Sequence, residues 1–389
     1  PTPGANSPNI AFTDADGTNC SPYNGSDGTN TWTTGTTSFE LFECGADDFV
    51  NQVPDGGVSD IEPTQFVGEL QGSSGAFVDN GNLQVQSGPG LVFGMGVTLQ
   101  MRNELQADQG LIVGRDDVAN MPSIPSTYIR SIYAGEISNW SDQTIYGNTL
   151  NVPAGYENLV NLCRRFQGSG THAQYMVNFH RPHGSAGFKP RLSAGLGNPI
   201  FGHPNVDGMS GASDVEKCLI AVDDGTGWID GADTVPVVPI GKQSFGLGYN
   251  SLEKNTTLSR DWRFVKIDGV APTLENAYNG DYRDVYYLSF QNRNDGSYVN
   301  TGSDIRTGAA NVALIDAFFA NGLDISGPVA KLINDTLVVT PAVGAPWGGG
   351  FLVPSASAPS SFSAADPRTP WAREDLNGEP NSCQPLASK

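Results

Sequence analysis

Glycine and proline interrupt this sequence along its whole length. The chain has 389 residues, of which 48 are Gly and 26 are Pro. Glycine loses more conformational freedom on folding than any other residue, and proline lacks a backbone N–H donor. A chain with this many interruptions builds short elements joined by turns. We therefore expect a loop-rich α/β or β-rich body rather than a helical bundle.

The length of the chain indicates two compact lobes. Single hydrophobic cores stop growing at roughly 250 to 300 residues, and this chain is longer, with a hydrophobic share of 38%. No stretch comes near the roughly 18 consecutive apolar residues that a membrane-spanning helix needs. We therefore predict no membrane insertion.

The amino terminus and the cysteines predict a periplasmic or extracellular protein. The sequence opens with the extended residues 1–4 and shows no apolar leader, which is typical of a secreted chain whose signal peptide has been removed. Two disulfides are expected among the first four cysteines, with three pairings open, and the fifth is either a free thiol or a link to another chain. These cysteines are Cys20, Cys44, Cys163, Cys218 and Cys383.

The charge of the chain excludes two classes of partner. At pH 7 the formal net charge is -20, whereas nucleic acids and anionic membranes need a basic face. A small anionic ligand remains compatible, because surface carboxylates are screened beyond about 8 Å while pocket donors act at contact.

Strand and helix patterns alternate along the chain. The apolar run at 159–163 predicts a strand, and residues 172–179 predict a helix. Three other helices are expected at 126–133, from Ser213 through Ile220, and at 309–321. This alternation favours a mixed α/β architecture.

The segment between that strand and helix carries the strongest functional signal. Ser169 and Thr171 offer hydroxyl donors, Gly170 allows close approach of the backbone, and Arg165 offers a guanidinium fork. A strand, a glycine-rich loop and a helix together present backbone N–H groups to an anion. The alternative interpretation is a capped helix beside a solvated arginine.

Four stretches in sequence order resemble the phosphate-binding proteins of bacterial phosphate ABC transporters, in a divergent secreted branch of that superfamily. The most specific are Gly-Glu-Ile-Ser-Asn-Trp and Gly-Ser-Gly-Thr, and the resemblance covers roughly residues 9 to 320. The stretches are 57–63 (GVSDIEP), 129–142 (IRSIYAGEISNWSD), 163–171 (CRRFQGSGT) and 262–276 (WRFVKIDGVAPTLEN).

The resemblance implies a ligand set. It assigns phosphate contacts to Arg165, Ser169, Gly170 and Thr171, and a contact after the first strand to Thr13. The carboxylate of the family's ligand set matches Asp60 of this chain. Asp60 would accept a hydrogen bond from a protonated oxyanion oxygen and so favour hydrogen phosphate over sulfate. Asp60 is equally suited to capping a helix that begins near residues 61–63.

The resemblance also implies a two-lobed periplasmic-binding-protein type 2 fold with the ligand in the cleft between the lobes. We predict lobe one over 1–94, lobe two over 95–243 and a return to lobe one over 244–345, with crossings near 94–96 and 244–248. The remaining segment, 346–389, is rich in Gly, Pro and Ser, and we predict an extended tail.

The predicted function is extracytoplasmic binding of phosphate or a similar small oxyanion, without catalysis, cofactor or metal. An ABC transporter complex or further copies of this chain are the expected partners. The alternative is an extracellular structural or filament-forming subunit, which the extended termini and Cys383 motivate.

Overall fold

The computed structural model of the chain has mixed α/β architecture, which confirms the predicted fold class. The described residues are 56–65, 83–165, 169–180, 205–209, 211–230, 233–235, 241–293, 347–363, 366–374, 380–382 and 385–389, with the backbone of six short strands before residue 52. The predicted helix at 309–321, Thr13 and Cys383 lie outside them.

The helices are short, as the glycine and proline content predicts. They are α1 Leu99–Asp108, α2 Ser126–Tyr133, α3 Gly170–Tyr175, α4 Ala212–Asp224 and α5 Leu274–Tyr278, with 3-10 turns at Pro63–Gln65 and Val118–Asn120 and a π-helical segment at Met176–His180.

The strands are also short, apart from four. They are β1 Ile10–Phe12, β2 Cys20–Pro22, β3 Thr31–Thr34, β4 Thr37–Glu40, β5 Phe42–Cys44, β6 Phe49–Asn51, β7 Gly56–Ser59, β8 Leu83–Thr98, β9 Ser123–Ile124, β10 Thr144–Ile145, β11 Asn148–Thr149, β12 Tyr156–Arg165, β13 Asn205–Met209, β14 Trp228–Asp230, β15 Asp233–Val235, β16 Gln243–Ser251, β17 Trp262–Phe264, β18 Lys266–Ile267, β19 Val285–Arg293, β20 Phe351–Pro354, β21 Arg368–Thr369, β22 Trp371–Ala372 and β23 Ala387–Ser388.

One nine-stranded sheet organises the described body, and β8 is its central strand. The strand order is β13-β12-β16-β8-β19-β7, with β17 and β20 also paired to β8 and β21 paired to β20. Residues 83–92 of β8 pair with β19, whereas 93–97 pair with β16. The strand therefore changes partners beside Gly94, which coincides with the first predicted crossing between lobes. The lobe boundaries themselves stay a prediction.

The helix α4 covers the parallel part of the sheet. Strand β12 pairs in parallel with both β13 and β16, and a disulfide joins Cys163 of β12 to Cys218 of α4. This confirms one expected bridge. The register of β2 and β5 places Cys20 opposite Cys44, and this second pairing stays a prediction.

Local signals locate α2 and α4. Helix α2 runs from Ser126 to Tyr133, and Gly135 follows it at φ 75°, where glycine has no steric penalty. Helix α4 begins at Ala212, and the Asp214 carboxylate accepts from the Gly211 N–H at 2.9 Å. The N-cap residue of α4 is therefore Gly211, supported by Asp214 in the first turn, rather than Ser213.

The carboxy-terminal segment docks on the body instead of forming the extended tail expected from its composition. Its apolar residues are buried, as Trp347 (1% exposed) and Leu352 show. Strand β20 pairs with β8 beside Gly90, and the Trp347 indole N–H donates to the Lys254 carbonyl at 3.2 Å. Burial of a few large side chains outweighs the flexibility of the surrounding Gly, Pro and Ser.

In the described part of the chain, no helix is long and apolar enough to cross a membrane.

Candidate oxyanion site

The site begins where β12 ends. This strand places Arg165 at its last position, and α3 starts five residues later at Gly170. The Ser169 hydroxyl caps the helix by accepting from the His172 N–H at 3.5 Å. Thr171 is buried in the first turn, and the π-helical segment continues the helix to residue 180. Strand, loop and helix follow in the predicted order.

Asp60 lies directly against this helix start. A Cβ atom added to Gly170 would lie 2.5 Å from Asp60 Cβ and 2.7 Å from Asp60 Oδ2, so only glycine permits this approach. The Gln174 side-chain amide donates to the Asp60 carbonyl. Two segments that are far apart in the sequence are thus held in contact at one point.

The charges at this point interact. Burial raises the pKa of Asp60, the nearby Arg165 lowers it, and Glu253 raises it further. Burial likewise lowers the pKa of Arg165, against the opposing effects of Asp60 and Asp214. The Asp60 side chain still reaches solvent.

Two carboxylates near the site were absent from the sequence prediction. Glu253 follows β16, and Asp214 lies in the first turn of α4. Neither stands in a motif that would have marked it. Asp214 acts on Arg165 and Glu253 acts on Asp60, so three carboxyl groups in all lie near this pair. A ligand here therefore has to bring a donor hydrogen to Asp60, or meet Asp60 in its protonated form.

A buried carboxylate holds the Asp60 segment to the end of the chain. Glu62 is 3% exposed and accepts from the Ser382 N–H at 2.6 Å and from the Ser382 hydroxyl at 2.7 Å. The Arg373 guanidinium donates to the Ser382 carbonyl at 3.1 Å. The docked carboxy-terminal segment thus fixes the chain two residues from Asp60.

Five of the six predicted contacts lie in this one region, namely Asp60, Arg165, Ser169, Gly170 and Thr171. The sixth, Thr13, lies outside the described residues. Among the residues that the structure describes, no three His, Cys, Asp or Glu side chains cluster as metal ligands would.

Comparisons with known proteins give distant structural likenesses only. No protein family matches the sequence, and no curated protein is similar to it. A putative phosphate ABC transporter substrate-binding protein from Clostridium perfringens, with bound phosphate, has 14% identity and a TM-score of 0.37 over 72% of this chain and 76% of its own. An ABC-type phosphate transport receptor from Vibrio cholerae has 12% identity and a TM-score of 0.38 over 72% and 78%. Similarity of this size assigns no ligand, so the proposal below rests on the residues of this chain.

Proposed function

We propose that this protein binds phosphate or a closely similar oxyanion at the Asp60–Gly170 contact, outside the cytoplasm and without catalysis. The observation that carries the proposal is the meeting of Asp60 with the loop that holds Arg165 and Ser169. Delivery to an ABC transporter is the setting that we propose for this binding.

The donors and the acceptor at this point match hydrogen phosphate. The Arg165 fork, the Thr171 hydroxyl and the backbone N–H groups at the start of α3 supply donors. Asp60 supplies an acceptor for the hydrogen that hydrogen phosphate carries and that sulfate lacks at neutral pH. The three carboxyl groups disfavour any anion without such a hydrogen. Selectivity for phosphate over sulfate follows.

The geometry of Ser169 supports binding rather than catalysis. A nucleophilic serine needs a base within reach of its hydroxyl. Here the hydroxyl accepts from the backbone of His172, while the imidazole Nε2 of His172 lies 3.4 Å from Arg164 Nη1. The imidazole of His172 is thus directed at an arginine and not at the Ser169 hydroxyl.

The alternative of a structural subunit loses part of its support. It was motivated partly by a free carboxy-terminal arm, but the described residues after 346 pack on their own chain.

Isothermal titration of the refolded, ligand-stripped protein with phosphate tests the proposal, with sulfate as the comparison anion. We expect a dissociation constant of about 1 µM for phosphate, equal to about -8 kcal/mol, and no heat from sulfate. Arg165→Ala should weaken phosphate binding at least about 100-fold, because it removes the guanidinium that the proposal assigns to the ligand.

Arg115→Ala is the matched control, since Arg115 is exposed and pairs only with Asp117 at the surface. It should bind phosphate as the wild type does. Unchanged affinity in Arg165→Ala would reject the site, and silence from both anions would reject the function.

A further inference from the structure

A second cavity lies at the far end of the helix that starts at the oxyanion site. Its volume is about 510 Å³, within the roughly 300 to 1,000 Å³ that is usual for small-molecule sites. Helix α2, the π-helical segment, the turn after β18 and residues 281–284 form its walls. Neither Asp60 nor Arg165 belongs to it, so it is separate from the site described above.

Charged groups of both signs line the described walls of this cavity and do not form ion pairs with one another. Arg130, Arg283 and Asp281 are exposed, and within the described ranges none of the three makes a side-chain hydrogen bond or an ion pair. A surface group usually reaches solvent freely, but these three converge on one concave space. Water that fills this space can be displaced by a ligand that offers matching polar groups.

Two further aspartates belong to the wall and are engaged by the protein. The Asp268 carboxylate accepts from the Ser126 N–H at 2.8 Å, and buried Asp284 accepts from the Tyr282 hydroxyl at 3.3 Å. Burial raises the pKa of Asp284 to about 7, so this carboxyl group is partly protonated at neutral pH and brings a donor as well as an acceptor.

The presence of both positive and negative side chains restricts the chemical class of ligand that this cavity can bind. A simple anion would meet the aspartates, and a simple cation would meet two guanidinium groups. A neutral polyhydroxylated molecule satisfies both, because each hydroxyl group donates one hydrogen bond and accepts others. An apolar floor of Phe179, Ile267 and Val270 would contact the C–H face of such a molecule.

The backbone supplies an independent pointer to function. Asn178 and Phe179 enter the cavity from the π-helical segment Met176–His180. Segments of π-helix are rare and occur frequently at functional sites. Phe179 is fixed there by stacking on Tyr175, with ring centroids 4.8 Å apart, so the floor is rigid.

We infer that this cavity is a second binding site, for a neutral sugar of one or two rings, with Arg283 and Asp281 as its accessible polar contacts. This inference does not depend on oxyanion binding. A sugar site at one end of the helix and an oxyanion site at the other would give one chain two ligands.

Saturation-transfer NMR and isothermal titration with glucose, galactose, mannose, arabinose, maltose and cellobiose test the inference. Glutamate and citrate serve as zwitterionic and anionic comparison ligands. We expect at least one neutral sugar to bind with a dissociation constant below about 1 mM, and Arg283→Ala and Asp281→Asn each to weaken it at least about tenfold.

Both substitutions are at exposed positions, so thermal melting should confirm that the variants fold. Arg165→Ala should leave sugar binding unchanged, which separates this site from the first. The inference is wrong if no sugar in the panel binds, if only glutamate or citrate binds, or if both cavity variants bind the sugar as the wild type does.

Discussion

Two groupings of arginine and aspartate in this molecule differ in how the aspartate is paired. In the first, Asp116 lies between Arg102 and Arg263, and the Arg263–Asp116 distance is 2.9 Å. Arg263 also donates to the carbonyls of Trp262 at 2.8 Å and Arg260 at 2.6 Å. Each side-chain nitrogen of Arg263 therefore has a hydrogen-bond partner inside the protein.

The second grouping, Asp60 with Arg165, is arranged differently. Asp60 forms no ion pair with any residue that the structure describes, although Arg165 lies close enough to lower its pKa. Its carboxyl group reaches solvent. A carboxylate held between two arginines stabilises the fold, whereas the Asp60 carboxyl group, which forms no ion pair with a described residue, is available to a ligand.

The largest expected effect belongs to the first grouping. Arg263→Ala leaves two carbonyls without this donor and the half-buried Asp116 carboxylate with Arg102 as its remaining partner, so we expect a loss of about 3 kcal/mol in the free energy of unfolding. Urea denaturation measures it, and Arg115→Ala should lose less than about 1 kcal/mol. Equal losses in the two variants would erase the distinction between the groupings.

The second effect is on binding. Arg165→Ala should lose about 2.7 kcal/mol of phosphate binding, the equivalent of 100-fold. Its midpoint of thermal unfolding should fall by less than that of Arg263→Ala, because the Arg263 guanidinium holds Asp116 and two carbonyls in place. A larger fall in Arg165→Ala than in Arg263→Ala would place Arg165 among the structural arginines.

A third effect tests the contact between Asp60 and Gly170. Gly170→Ala forces a Cβ atom against Asp60 Cβ, and overpacking of this kind lowers stability by about 1 to 3 kcal/mol. Phosphate binding should weaken with it, because Asp60 is displaced. Gly57→Ala is the control, since its added Cβ meets no atom within 4 Å. Equal behaviour of the two variants would contradict the contact.

The smallest effect is on pH dependence. The pKa of Asp60 is raised, chiefly by burial, so its contribution to stability is complete below the unfolded value near 3.9 and is lost as pH rises through the folded value. Asp60→Asn should therefore melt higher than the wild type at pH 7 and match it near pH 3.

Asp117→Asn should change stability in the opposite direction. Hydrogen bonds from Asn120 and Arg115 lower the pKa of Asp117, so the wild type gains stability as pH rises above the folded value. Thermal melting of Asp60→Asn and Asp117→Asn between about pH 3 and pH 7 measures the difference. Shifts of the same sign in the two variants would contradict the raised pKa of Asp60 or the lowered pKa of Asp117.

Local pattern predicted the elements whose causes are local. Helix α2 and its end at Gly135 depend on apolar spacing and a glycine stop. The strand expected at 159–163 lies inside β12, which is longer because β13 and β16 pair with both of its edges. That extension depends on distant partners and has no local signal.

The candidate site also combines features with local causes and features that depend on distant contacts. The Gly-Ser-Gly-Thr loop is contiguous and was readable as a helix start. Glu253 reaches Asp60 only because β16 brings it there, and Gly349 packs against Glu253 from the docked segment. The sequence of 346–389 has the composition of a tail, and the burial of Trp347 and the pairing of β20 with β8 show that it packs on the body. Packing between segments that are distant in the sequence cannot be predicted from either segment alone.

The bond between Ser382 and Glu62 spans 320 positions of the sequence. During synthesis, Glu62 leaves the ribosome 320 residues before its partner Ser382. Contacts of such long range slow folding, because a large loop must close before they form. The nascent chain can therefore make this contact only after residue 382 has emerged, and a product that stops short of residue 382 leaves the Glu62 carboxylate without this partner.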